Sequence, residues 1–101
     1  MVTLANSQRK YLRSIAHHLN PVVMIGKEGV TEDLLAKVNR ELVAHELIKV
    51  RFLEHKDLRR ELAAEIARDS ASALVGLIGH IAILYRENAD PERRKVLLPG
   101  P

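Results

Sequence analysis

The spacing of apolar and polar positions divides the chain into short segments of two kinds. Leu12, Ile15, Ala16 and Leu19 recur at helical intervals and predict a helix over residues 7–19, with Ser7 as its N-cap. Asn20-Pro21 should close it, because a residue before proline avoids the α region. Val22 to Ile25 is a short apolar run between Pro21 and Gly26 and reads as a buried strand. Leu34, Leu35, Val38 and Leu42 form the inner stripe of a second helix over 31–46, capped by Thr31. Leu47 to Leu53 alternates, with Ile48, Val50 and Phe52 to one side and Lys49 and Arg51 to the other, which predicts a strand with one wet, basic face. Asp57 opens a third helix that turns Leu58, Leu62 and Ile66 inward. Ala73 to Ile78 and Ile81 to Arg86 read as two strands joined by Gly79-His80, a Gly-X pair typical of a type II′ hairpin. Gly76 within the first of them marks a bulge or a close backbone approach.

The predicted order is therefore α-β-α-β-α-β-β, an α+β domain with one small four-stranded mixed sheet. At 101 residues the chain makes one domain, taken as residues 1–98 with a short tail at 99–101. The stretch Glu92 to Leu98 is either a basic tail or, through Val96 to Leu98, an added edge strand. The longest apolar stretch, Ala73 to Tyr85, is broken by His80 and two glycines and is too short to cross a bilayer. Polar residues from Asn6 onward leave no secretory core after Met1, and cysteine is absent. These features together predict a cytoplasmic protein with no membrane association.

Charge changes the picture more through its placement than through its sum, which is only +3. Helix one carries Arg9, Lys10, Arg13, His17 and His18 and, from Ser7 to Leu19, no acidic residue. Arg9 and Arg13 lie four apart and repel, so the helix gains from an anionic partner. Helix two offsets its own charges through Asp33–Lys37 and Lys37–Glu41, and helix three carries an even mixture.

The candidate chemistry centres on Gly26-Lys27-Glu28-Gly29, which joins the first strand to the second helix. Glycine permits a positive φ and lets a ligand backbone approach, and a helix N-terminus favours anions. A GxxG loop in this position suits the backbone of about four nucleotides. Glu28 is the residue that fits this use least well, since its carboxylate must point away from a phosphate. The nucleotide-binding GxxxxGK[ST], the dinucleotide GxGxxG and the nucleophile elbow are all missing. His17 and His18 are adjacent, and His45, His55 and His80 stand singly at element ends, so no metal set is apparent. Tyr11, Phe52 and Tyr85 are the only aromatics, with Phe52 assigned to the core, which disfavours recognition by an exposed aromatic sheet. The residues thus predict a protein that holds RNA and catalyses nothing, with no cofactor, metal or small-molecule substrate. The alternative is a protein-interaction module whose basic helix docks on an acidic partner.

Longer stretches agree with one known family. Leu19 to Thr31 resembles the central signature of the CRM domain (chloroplast RNA splicing and ribosome maturation), and of its stand-alone bacterial YhbY-like members in particular. Leu4 to His18, His45 to Val50, Ile78-Gly79 with Ile83 to Arg86, and Arg94 to Pro99 continue the resemblance in order. It implies a fold like the C-terminal domain of translation initiation factor three. It also implies RNA binding at the GxxG loop and association with precursors of the large ribosomal subunit. Carried over by position, Gly26, Lys27 and Gly29 form the loop, with Glu28 at a position where family members vary. The charge argument adds Arg9, Lys10, Arg13, Lys49, Arg51 and Arg86 as RNA-contacting residues.

Overall fold

A computed structural model of the chain describes residues 3–101. Helix α1 (Asn6–Ala16) is followed by strand β1 (Val23–Ile25), helix α2 (Glu32–His45) and strand β2 (Leu47–Phe52). A 3₁₀ turn, Lys56–Leu58, leads into helix α3 (Arg59–Asp69), and strands β3 (Ala73–Ile78) and β4 (Ile81–Tyr85) complete the sheet. The element order is the one that the hydrophobic pattern predicts. The four strands lie in the order β1-β2-β4-β3, with β1 parallel to β2 and the other neighbours antiparallel.

Both faces of the sheet are used. Helices α2 and α3 pack Val38, Leu42, Ala63 and Ile66 against Val23, Ile25, Ile48, Val50, Phe52, Ala82 and Leu84. On the other face, α1 sets Leu12 and Ala16 on Leu47, Val75, Ile83 and Tyr85, together with Leu4. Burial, with the carboxylates of Glu87 and Glu46 nearby, pushes the Tyr85 phenol up to about 12, so it sits neutral in this second core.

Local details follow the sequence at the turns. The Thr31 hydroxyl accepts the Leu34 N–H at 3.1 Å and caps α2. Gly79 is left-handed at φ +58 while His80 is not, as a II′ turn requires. Pairing slips by one residue between Leu74 and Gly76, which is the expected bulge. A Cβ on Gly76 would stand 3.0 Å from Cδ of Arg13, so glycine also permits a close approach by α1.

Helix limits differ from the pattern. The residue before α1 is Ala5 rather than Ser7, and the Gln8 side chain reaches back to accept the Ala5 N–H at 2.9 Å. The helix also ends at Ala16, before the proline, and leaves Leu19 39% exposed. The early exit lets Val22 donate to the Lys49 carbonyl at 3.0 Å as β1 joins the sheet. Leu58 lies in the 3₁₀ turn and is exposed. A three-residue turn rotates it away from the stripe that Leu62 and Ile66 continue. Neither Asp33–Lys37 nor Lys37–Glu41 closes; the ion pairs among the described residues are Arg68–Asp69, Arg93–Asp90 and Arg94–Glu87.

The chain beyond β4 is neither a strand nor a free tail. Val96 and Leu98 pack on the α1-side core, and Gln8 Nε2 donates to the Pro99 carbonyl at 2.9 Å. What holds this segment is Glu46, which follows α2 in a left-handed conformation at φ 64. Its side chain is wholly buried, and its carboxylate accepts the backbone N–H groups of Asn88, Lys95 and Val96. Burial alone would raise the pKa of this carboxyl. The three N–H donors and the Arg94 charge outweigh it and hold the group below its usual range.

Candidate nucleic-acid interface

Parallel pairing of β1 with β2 makes both strands end at the same edge of the molecule. Two loops therefore emerge side by side, Gly26–Gly29 after β1 and residues 53–55 after β2. Leu53 and Glu54 both donate to the Ile25 carbonyl, at 2.9 and 3.2 Å, and tie the second loop to the root of the first. The β3–β4 turn lies at this end too, because Phe52 donates to the His80 carbonyl at 2.8 Å.

The Gly26–Gly29 loop is a tight turn closed by the Gly29 N–H on the Gly26 carbonyl at 3.1 Å. Gly29 holds φ +70, which other residues reach only with strain. The turn uses its own Gly29 donor, and Thr31 uses that of Leu34, so those two amides are not available to an anion. Lys27 and Glu28 form the exposed tip. No bond within the described residues engages their backbone N–H groups. His55 braces the turn from below. It is left-handed at φ 56, its Nε2–H donates to the Lys27 carbonyl at 2.8 Å, and its ring lies 3.7 Å from a Cβ built on Gly29. A histidine after a strand reads as a solvated residue from sequence, and only the pairing of β1 with β2 reveals this contact.

The structure sets several of the expected cations on the α1 face of the sheet; Arg9 among them reaches the far end of β3, beside Leu74. Lys49 and Arg51 extend from β2 on the face that α1 partly covers, and Lys49 Nζ donates to the Leu19 carbonyl at 3.0 Å. Arg9 and Arg13 lean from α1 across the bulge in β3 and donate to the carbonyls of Leu74 and Val75, at 2.8 and 3.0 Å. Carbonyls orient a guanidinium without neutralising it, so both arginines keep their charge and their remaining N–H donors. Lys10 is exposed on α1, and Lys56, which the pattern did not single out, is exposed next to His55. None of the cations at positions 9, 10, 13, 27, 49, 51 or 56 has a carboxylate within ion-pair distance among the described residues.

Arg86 does not join this group. Its guanidinium donates to Asn39 Oδ1 at 2.7 Å and to the Ser70 carbonyl at 2.6 Å, and so stitches α2 to the end of α3. A terminal basic residue on a strand gives no sequence signal of such internal use. Among the described residues, no three His, Asp or Glu side chains come together as a metal site.

A profile of the CRS1 / YhbY (CRM) domain matches residues 4–86. The chain belongs to the CRM-domain family. Several relatives match the chain over most of its length. A Haemophilus influenzae protein named an RNA-binding protein is 42% identical over 100 residues, which is 98% of each chain. A Pseudomonas aeruginosa protein named a probable RNA-binding protein is 43% identical over 93 residues, 91% of this chain and 89% of its own. The solution structure of a hypothetical Staphylococcus aureus protein, described as a candidate RNA binder, superposes with a TM-score of 0.80 at 36% identity. It covers 96% of this chain and 100% of its own, so that protein and this one share a fold.

Proposed function

We propose that this protein binds RNA through the Gly26–Gly29 turn and the cations beside it, and that the RNA is ribosomal RNA of the maturing large subunit. The observation that carries the reading is the side-by-side placement of a glycine turn with a lysine at its tip and a group of cations without acidic partners. Such a surface pays a repulsive cost when empty, and a polyanion removes it. Phosphates meet Lys27, Lys49 and Arg51, with Arg13, Lys10 and Lys56 beside them. Glu28 turns its carboxylate to solvent at the tip. Large-subunit maturation comes from the family resemblance, and a cytoplasmic setting from the composition of the chain, which has no cysteine. No helix among the described residues is long and apolar enough to cross a membrane.

Docking of a basic α1 on an acidic protein is the weaker reading. Arg9 and Arg13 each donate to a β3 carbonyl, which draws both toward the sheet and away from Lys10 on the exposed helix surface. Crosslinking in cells with sequencing of the bound RNA separates the two. Reads concentrated in large-subunit ribosomal RNA, and loss of co-sedimentation with subunit precursors after RNase, are expected. Association that survives RNase without crosslinked RNA would establish the protein-docking reading instead.

A further inference from the structure

Helix α1 covers only part of its face of the sheet. Strand pairing arranges that face in rows, because paired residues share a side of the pleat. One row is Leu47, Tyr85 and Ala73, and it lies in the core that α1 builds. The next is Lys49, Ile83 and Gly76, crossed by the Arg13 side chain. The third runs through all four strands as Met24, Arg51, Ile81 and Ile78. The last turn of α1 stops short of it. Met24 is 45% and Ile78 62% exposed, and Arg51 is exposed between them. Single exposed apolar residues are ordinary. Here they stand in line with a cation, and the line begins at Met24, one residue from the strand end that carries the glycine turn. At its other end Arg13, His17, Lys49, Ile78, Ile81 and Ile83 enclose a depression of about 130 Å³.

We infer that this depression seats an unpaired nucleobase, so that the RNA held by the turn is single-stranded where it crosses the sheet. The inference rests on the RNA-binding reading above and narrows it. A base offers two apolar faces and a polar edge. Ile78, Ile81 and Ile83 supply an apolar floor. The Arg13 guanidinium, fixed by the Val75 carbonyl, and the His17 ring supply planes of the kind that stack on splayed bases. Lys49 and Arg51 stand where the flanking phosphates pass, and Lys27 continues the track. A duplex keeps its bases paired and stacked and cannot place one here. The surrounding positive charge selects a nucleotide over an apolar peptide.

The test measures fluorescence anisotropy of a labelled mixed-sequence RNA oligonucleotide, alone and annealed to its complement. The protein is compared with Ile78→Ser and Ile81→Ser. The parent should prefer the single strand. Each substitution should weaken single-strand binding about fivefold, through lost apolar contact, and leave duplex binding unchanged. The salt dependence should not move, because no phosphate contact is lost. Thermal melting checks the fold, and Ile78 is exposed enough for its replacement to be silent there. Full single-strand affinity in a folded Ile78→Ser variant, or a parent that prefers duplex, overturns the inference and leaves the phosphate-binding reading intact. A parent that binds neither RNA overturns that reading as well.

Discussion

Glu46→Gln should destabilise the domain by about 3 kcal/mol, the loss expected when buried donors exchange a charged acceptor for a poor one. The carboxylate accepts three backbone N–H groups from Asn88, Lys95 and Val96. Glutamine offers one acceptor oxygen and sets an NH₂ donor against the remaining N–H groups. For a domain of this size the midpoint of thermal unfolding should fall by about 15 °C. Glu46→Gly separates two explanations. Glycine relieves the left-handed φ of 64, which is worth about 1 kcal/mol, yet it leaves all three donors without an acceptor. It should therefore also destabilise. A Glu46→Gly variant as stable as the parent would show that the position is chosen for its backbone and not for its carboxylate. The effect has a pH signature. A carboxyl held below its usual value contributes stability above that value and loses it as pH falls through the folded pKa. The difference in stability between parent and Glu46→Gln should be full above pH 4.5 and shrink below it.

Gly26→Val and Gly29→Val should both weaken RNA binding, by about tenfold, for different reasons. A Cβ on Gly26 meets nothing within 4 Å, and Gly26 is not left-handed. The fold tolerates a side chain there, and reduced freedom in the unfolded chain keeps stability level or raises it by about 0.5 kcal/mol. The new side chain stands where a ligand backbone must approach Lys27. Gly29 holds φ +70 but has ordinary room toward His55, so its substitution costs about 1–2 kcal/mol through the backbone and loosens the His55 brace. Gly29→Val therefore lowers both stability and affinity, whereas Gly26→Val lowers affinity alone. Anisotropy titrations paired with thermal melts read the two quantities. A Gly26→Val protein with the parent's affinity would remove the RNA backbone from the turn.

The parts of this fold that the sequence reveals are those set by neighbours along the chain. The Thr31 cap, the Gly79-His80 turn, the bulge at Gly76 and the alternation in β2 depend on local stereochemistry and are legible there. Helix ends are less so, because they answer to distant needs. Helix α1 stops early so that Val22 can reach β2. Leu58 keeps helical spacing with Leu62 but sits in a 3₁₀ turn. Contacts made across the fold leave no trace in periodicity. Glu46 looks like any acid at a helix end, although its partners lie more than 40 positions away. For the site, the glycine turn and the charges of Lys27, Lys49 and Arg51 are visible in the chain, because charge and glycine are residue properties. The destinations of Arg9, Arg13 and Arg86, and the brace from His55, are properties of the packing.

The central claim is that Lys27 at the tip of the glycine turn contacts an RNA phosphate. Its most direct test is the salt dependence of single-stranded RNA binding by the parent and by Lys27→Ala, between about 50 and 200 mM salt. Each phosphate contact on a single strand contributes a slope of about −0.7 to the plot of log affinity against log salt. The parent should show a steep line, and Lys27→Ala a weaker affinity with a slope shallower by about 0.7. Parallel lines of equal affinity, or a parent whose binding ignores salt, would contradict the claim.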